Sequence, residues 1–455
     1  MILAPWGDIG GMTRFDAHPP GYYWLVKVVR DAAILFSLKE ELALLRLPGL
    51  LVHLAMILGT AWGLKSLGCS KHSIALAVLL VGLNPYFADC AAELRNYAVV
   101  NGSVHGSFLL FAVLMVHRNS GFTRGIAAAW LAYSLLLAVG MWMHLLCGVV
   151  ALVLGLAWLF VCCWEKGRHR VFLCGGILAH GGALILFFPW LLVMKDQLAY
   201  LSSANLSWMT PATIVNLIKC LSWSIPLAKS PWEVLDANEL SLLGWILAFA
   251  VLGIPMWSLS EKIGKVLTAI KPTDQAERNE VSLLILGFWV WGGFILLTWF
   301  VSMLEVIRVF HANRYQAMVM GPGLMLLALL LARLREGSPR LMRFGVLVVS
   351  LVFGFSGGLR LSHPEFKSML REFEDRYEST LPPRAKRWRC TRKTFSPTSG
   401  IGKIGLNLSP WRTPSGGPEQ QKRLTFSFCR GGGSKTPRRF IRWRIWRFCV
   451  PPTEQ

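Results

Sequence analysis

Residues 43–68 read ALLRLPGLLVHLAMILGTAWGLKSLG. Between Arg46 and Lys65 the run has no charged side chain, and it approaches the roughly 20 residues a helix needs to cross the hydrocarbon core of a bilayer. Comparable apolar stretches follow at 73–89, 98–116, 126–142, 145–163, 171–193, 240–259, 281–303, 316–334 and 342–360, which with 46–64 makes about ten. The composition agrees: of 455 residues 54% are hydrophobic and only 16% charged, with a mean hydropathy of +0.48. Such a chain lies outside the soluble globular range. The expected fold is all-α, a polytopic integral membrane bundle of about ten transmembrane helices.

Short loops rich in Lys and Arg stay in the cytoplasm, so the charges between spans orient the bundle. One alternating set of loops holds Lys65 and Lys71; Arg118 and Arg124; Lys166, Arg168 and Arg170; Lys262, Lys265, Lys271 and Arg278; and Arg333, Arg335, Arg340 and Arg343. The other set holds Arg95, then Lys195, Lys219 and Lys229 in a longer loop, then Arg308 and Arg314. The first set is therefore predicted to be cytoplasmic and the second extracytoplasmic. Span 46–64 then runs inward, and residues 1–45 lie outside. Within them, 22–38 mixes Lys27, Arg30 and Asp31 with Tyr22, Tyr23, Trp24, Leu25 and Val28. That pattern suits a helix lying in the outer interface with its aromatics at headgroup level. The expected organisation is an outer loop with an interfacial helix (1–45), a transmembrane domain (46–360) and a tail (361–455).

Once the bundle is oriented, the notable polar residues gather on its outer side. Asp16 and His18 precede the interfacial helix; Asp89, Glu93, Arg95 and Tyr97 follow the second span; His144 occupies a very tight turn; Glu305, Arg308, His311, Arg314 and Tyr315 crowd a short connection. These types suit a phosphorylated, lipid-tailed substrate: Arg grips phosphate bidentately, a carboxylate acts as base or metal ligand, and His does either. Charges at helix ends are commonly just solvated or snorkelling. Arg95 and Arg314, however, run against the positive-inside bias, which points to a local reason for a cation there. His53, His105 and His180, inside spans, read as helix-contact residues that hydrogen-bond across the bundle. The ten cysteines form no CxxC pair or zinc spacing, and they read as packing residues.

Several segments, in order, resemble a known group: DAHPPGYYWLVKVV at 16–29, the 43–68 stretch, LNPYFADCAAELRNYAVV at 83–100, MWMHLLCGVVALVLGLAW at 141–158, FFPWLLVM at 187–194 and NRYQAMVMGPGLMLLALLLARL at 313–334. Over roughly residues 14–335 the chain resembles polytopic GT-C class glycosyltransferases, in particular the protein O-mannosyltransferase-like and aminoarabinose-transferase-like branch. The resemblance implies transfer of a sugar from a polyprenyl-phosphate carrier to a lipid, glycan or protein acceptor on the outer face of the cell (inner) membrane. It implies Asp16 as an active-site acid that binds a metal or the substrate, Arg95, Tyr97, Arg314 and Tyr315 as substrate-binding residues, and His144 as a recurring site histidine. With the residue types, the expected site has Asp16 and Glu93 as catalytic carboxylates and His18 and His144 as ligands of a divalent metal or proton carriers. Expected partners are the lipid-linked donor and membrane lipids, and no nucleic acid. Members usually begin with one more membrane helix and an acidic element, so the resemblance also implies a start upstream of Met1 or an inactive remnant. A transporter or flippase of lipid-linked sugars is the competing class. Transporters place discontinuous helices and ionisable groups at the bilayer midplane and often carry inverted repeats, whereas the ionisable groups here sit at the outer rim.

Beyond about residue 380 the text changes character. Residues 381–455 hold 17 Lys and Arg against 2 Glu, so they supply +15 of the formal +22. The RWRIWRF run at 442–448 has the mix of cations and aromatics that grips nucleic acid. The outward orientation argues instead for anionic lipid headgroups or a shifted reading frame, and for disorder.

Overall fold

The computed structural model of the chain describes residues 6–13, 18–36, 42–164, 170–203, 212–223, 275–304, 309–310, 315–337, 339–340, 342–343, 345–347, 349–350 and 353. The expected span 240–259 and the basic tail lie outside these residues, as does most of 342–360. Among the described residues there are helices and no strand. In chain order they are α1 (Trp6–Thr13), α2 (Gly21–Leu35), α3 (Leu42–Ser66), α4 (Lys71–Gly82), α5 (Pro85–Ala92), α6 (Tyr97–Val116), α7 (Arg124–Met143), α8 (Cys147–Trp164), α9 (Arg170–Ser203), α10 (Ile214–Trp223), α11 (Gln275–Met303), a 3-10 turn (Gln316–Val319) and α12 (Met320–Gly337).

Six of these helices are long and apolar enough to cross a membrane: α3, α6, α7, α8, α9 and α11. The expected count of ten is therefore not reached among the described residues. The stretch expected as one span at 73–89 is two helices, α4 and α5, bent by 47°. The cause is local. Asn84 accepts from the backbone N–H groups of Tyr86 and Phe87 through its side-chain oxygen, and Pro85 occupies the first helical position; both features start a new helix rather than continue an old one. The stretch 316–334 likewise opens with a 3-10 turn before α12, and its apolar helical part, Ala317–Arg333, is shorter than the spans above. A helix does form where one was expected at 22–38, namely α2, and α1 before it was not foreseen because WGDIGGMT has no apolar period. α1 is clasped to α2: Trp6 Nε1 donates to Asp31 (3.2 Å), and Lys27 pairs with Asp31 (3.5 Å) while lying over the Trp6 ring (5.2 Å).

The core sits around α6, which packs against α3, α7, α8, α11 and α12. Its polar side chains explain why it is central: Asn101, Ser103, His105 and Ser107 are all buried, and polar groups in a span have to face protein rather than lipid. Small residues let the neighbours in. Gly102 lies against Val52 of α3 and Gly106 against Leu136 of α7, with no room for a Cβ at either. The span histidines do make helix contacts: His105 Nε2 meets Thr60 Oγ1 at 2.7 Å between α3 and α6, His180 Nε2 meets Tyr133 Oη at 3.2 Å between α7 and α9, and His53 packs on Phe87. Cys147 packs as expected, whereas Cys163 and Cys174 are exposed on the bundle surface.

Candidate functional site

The site is built around the end of α7. The His144 N–H closes the helix onto Gly140 (2.9 Å), and the chain re-enters α8 three residues later through a Cys147 N–H bond to the His144 carbonyl (3.0 Å). Asn96, buried at the start of α6, donates its side-chain N–H to the Met143 carbonyl (2.7 Å), which ties this turn to α6. The His144 side chain is 3% exposed, and its Nδ1 accepts the Leu146 backbone N–H at 3.2 Å. A ring nitrogen that accepts cannot carry the proton, so the neutral imidazole carries it on Nε2. That Nε2–H is buried without a hydrogen-bond partner. Burial, and after it the neighbouring His18, hold the His144 pKa well below the usual histidine range.

Three rings surround this imidazole. His18 lies at 4.8 Å between centroids, Tyr315 at 5.3 Å edge-on and Tyr97 at 6.4 Å. With His144 in the α7–α8 turn, the four rings come from four places in the chain: the residues before α2, the turn before α12, the first residue of α6 and that turn. Gly21 makes the approach of α2 possible, since a Cβ there would sit 2.5 Å from the Trp142 carbonyl oxygen. Trp24 then packs on Trp142 at 5.3 Å. On the α11 side, Ser302 Oγ accepts the N–H groups of Val309 (2.9 Å) and Phe310 (2.7 Å), fixing residues 309–310 against the end of that helix.

A second group adjoins α2. The Tyr22 hydroxyl is pushed well above the usual phenol range, first by burial, then by the charge of Glu93 and by Tyr23, with Arg95 acting in the opposite sense. Glu93 closes α5 and is half-buried, and Arg95 is exposed. The structure thus gathers His18, Tyr97, His144 and Tyr315 in one cluster and Glu93 with Arg95 around Tyr22. Asp16, Arg314, Glu305, Arg308 and His311 lie outside the described residues. Tyr22 and Asn96 were missed by the sequence reading. Tyr22 stands directly after the Pro-Pro-Gly, but it was read only as a headgroup-level aromatic.

For the expected divalent metal the described residues alone offer no ready set of ligands. Among the described residues no three His, Cys, Asp or Glu side chains are grouped to hold an ion. His144 moreover presents an N–H at Nε2, whereas a ligand needs a lone pair there. The cluster offers hydrogen-bond donors and aromatic faces, a set suited to an anionic or hydroxyl-rich ligand.

No family model matches the chain, and no curated protein matches it. Among solved structures it is similar to the oligosaccharyltransferase of Archaeoglobus fulgidus. Against that protein's crystal structure in complex with Zn and sulfate the identity is 15% and the TM-score 0.41, covering 81% of this chain and 49% of that one. Against its apo form the identity is 13% and the TM-score 0.42, with 81% and 52% covered. Against the archaeal oligosaccharyltransferase AglB from the same organism, in complex with an inhibitory peptide and a dolichol-phosphate, they are 11% and 0.41, again with 81% and 52% covered. The chain thus spans about half the length of these structures. At that level of likeness its chemistry has to be argued from its own residues.

Proposed function

We propose that the chain is a GT-C-type glycosyltransferase of the cell (inner) membrane, moving a sugar from a polyprenyl-phosphate carrier to an extracytoplasmic acceptor. The observation that carries this reading is the cluster at the end of α7, where a buried Nε2–H of His144 lies without a partner beside His18, Tyr97 and Tyr315. An unsatisfied donor costs about 1–3 kcal/mol when buried, and a ligand oxygen would relieve that cost. A phosphate or sugar oxygen is such a ligand.

In the proposed reaction an acceptor O–H attacks the anomeric carbon, the bond from that carbon to the phosphate oxygen breaks, and the electron pair leaves with polyprenyl phosphate. The acceptor proton goes to a carboxylate, for which Asp16, two residues before His18, is the candidate and Glu93 the reserve. Arg314, next to Tyr315, and Arg95 would stabilise the departing phosphate, with the His144 Nε2–H donating to an oxygen of the same ligand.

The test is a transfer assay in lipid nanodiscs with a polyprenyl-phosphate sugar and a panel of acceptors. Asp16→Asn should reduce transfer by about 10²-fold or more, and Arg314→Lys should impair it because an ammonium cannot reproduce the guanidinium fork. Near-full transfer by Asp16→Asn would move the base to Glu93. One observation favours a second reading, a flippase of lipid-linked sugars: the broken α4–α5 pair is the kind of discontinuous span transporters use. Scrambling of a labelled lipid-linked sugar between leaflets, without transfer, would select it.

A further inference from the structure

We propose that Gln197 is a positioning residue for the cluster, fixing the His18 backbone so that the His18 ring lies against His144. Gln197 is fully buried at the end of α9, beyond its apolar span Arg170–Lys195. Trp190, two turns earlier on the same helix face, donates its Nε1–H to Gln197 Oε1 at 3.1 Å. That bond settles which end of the amide is which, so both N–H donors of Nε2 point the other way. They reach the Thr13 carbonyl at 3.0 Å and the His18 carbonyl at 3.4 Å. One amide group thus holds the end of α1 and the approach to α2 together.

α9 also holds the other half of the pair. Trp142, two residues before His144, donates its Nε1–H to the Leu186 carbonyl of α9 at 3.1 Å. Leu186 and Gln197 are about three turns apart on α9, with Pro189 between them. Both imidazoles are therefore indexed to one helix, His18 through Gln197 and His144 through Trp142. Neither contact touches a ring, so Gln197 acts on the site only through where it places His18. The functional half of the inference rests on the cluster being the donor site.

The full chain in nanodiscs carries the test, with hydrogen exchange of peptides covering residues 18–24 and 97–116 and the KM and kcat for the polyprenyl-phosphate sugar. Gln197→Glu keeps the acceptor for Trp190 and the shape while replacing two N–H donors by at most one O–H; Gln197→Leu removes everything polar. Both should raise exchange at 18–24 by about tenfold, the scale of one hydrogen bond, and leave 97–116 unchanged. The KM for the donor should rise with a smaller change in kcat. Trp190→Phe, which frees the amide to turn, should do the same more weakly. Wild-type exchange at 18–24 in both Gln197 variants, or exchange raised equally in all peptides, overturns the positioning role. Raised exchange at 18–24 with an unchanged donor KM upholds the role of Gln197 in placing His18 and instead removes the cluster as the donor site.

Discussion

The protonation of His144 follows from one short contact. Because Nδ1 accepts the Leu146 N–H, the ring is neutral with its proton on Nε2, and burial followed by the proximity of His18 opposes a second proton. The consequence for stability has a definite sign. Above about pH 6.5, the ordinary histidine value, folded and unfolded chains both carry a neutral ring and the group adds no pH dependence. As pH falls below that value the unfolded chain takes up the proton first, so stability declines until the native ring also protonates. Thermal unfolding in detergent should show the midpoint dropping below about pH 6.5, with a shallower drop in His144→Gln. An identical acid slope in the variant would mean that the ring is protonated in the folded protein. The residues of the cluster were legible by type and by their place at the ends of apolar runs: His18, Glu93, Arg95, Tyr97, His144 and Tyr315 were all identified from loop position. The tautomer was not legible, because it depends on a backbone N–H two residues away whose direction only the turn determines.

Helix starts and stops were read well where the signal was apolar length and poorly where it was capping. α6 and α7 begin and end within about two residues of the expected limits, the ordinary uncertainty of helix ends. The α4–α5 break was missed because the apolar run continues through it, although Asn-Pro stood in the sequence as the start of a second helix. Asn84→Ala should cost about 1 kcal/mol in unfolding free energy by removing the acceptor for two N–H groups, while Asn84→Asp should cost little. Denaturant unfolding of the two variants checks this, and equal losses would show that the cap is not the source. Gly21 is a stronger case. A methyl there meets the Trp142 carbonyl, so Gly21→Ala should displace α2 from α7 at a cost of about 1–3 kcal/mol. The variant should also raise the donor KM, because His18 stands three residues before α2 and Tyr22 lies in its first turn. A crowded backbone contact of this kind leaves no pattern in the sequence beyond the presence of a glycine.

At the scale of the whole molecule, the charge alternation predicts which end of the bundle faces out. In a cysteine-less background, Arg95→Cys should react with an impermeant maleimide in intact cells and Phe122→Cys, in the α6–α7 loop, should not; both positions are exposed. Reversed labelling would invert the topology and put the cluster in the cytoplasm. Removing residues 381–455 should leave insertion and the melting temperature unchanged, since the described helices are complete without them. Degradation of the shortened chain would show that the tail supports the fold. By itself the sequence determined that this is a helical membrane protein, where most of its spans lie and which polar residues gather at their ends. Those properties depend on runs of adjacent residues, and the bilayer selects on apolar length and loop charge. Only the tertiary structure decided that His18, Tyr97, His144 and Tyr315 meet, that α4 and α5 part company at Asn84, and that Gln197 holds the approach to α2. Those depend on contacts between residues as far apart as His144 and Tyr315 or Thr13 and Gln197. Helix rotation and packing set such contacts, and neither is encoded in any local stretch of the chain.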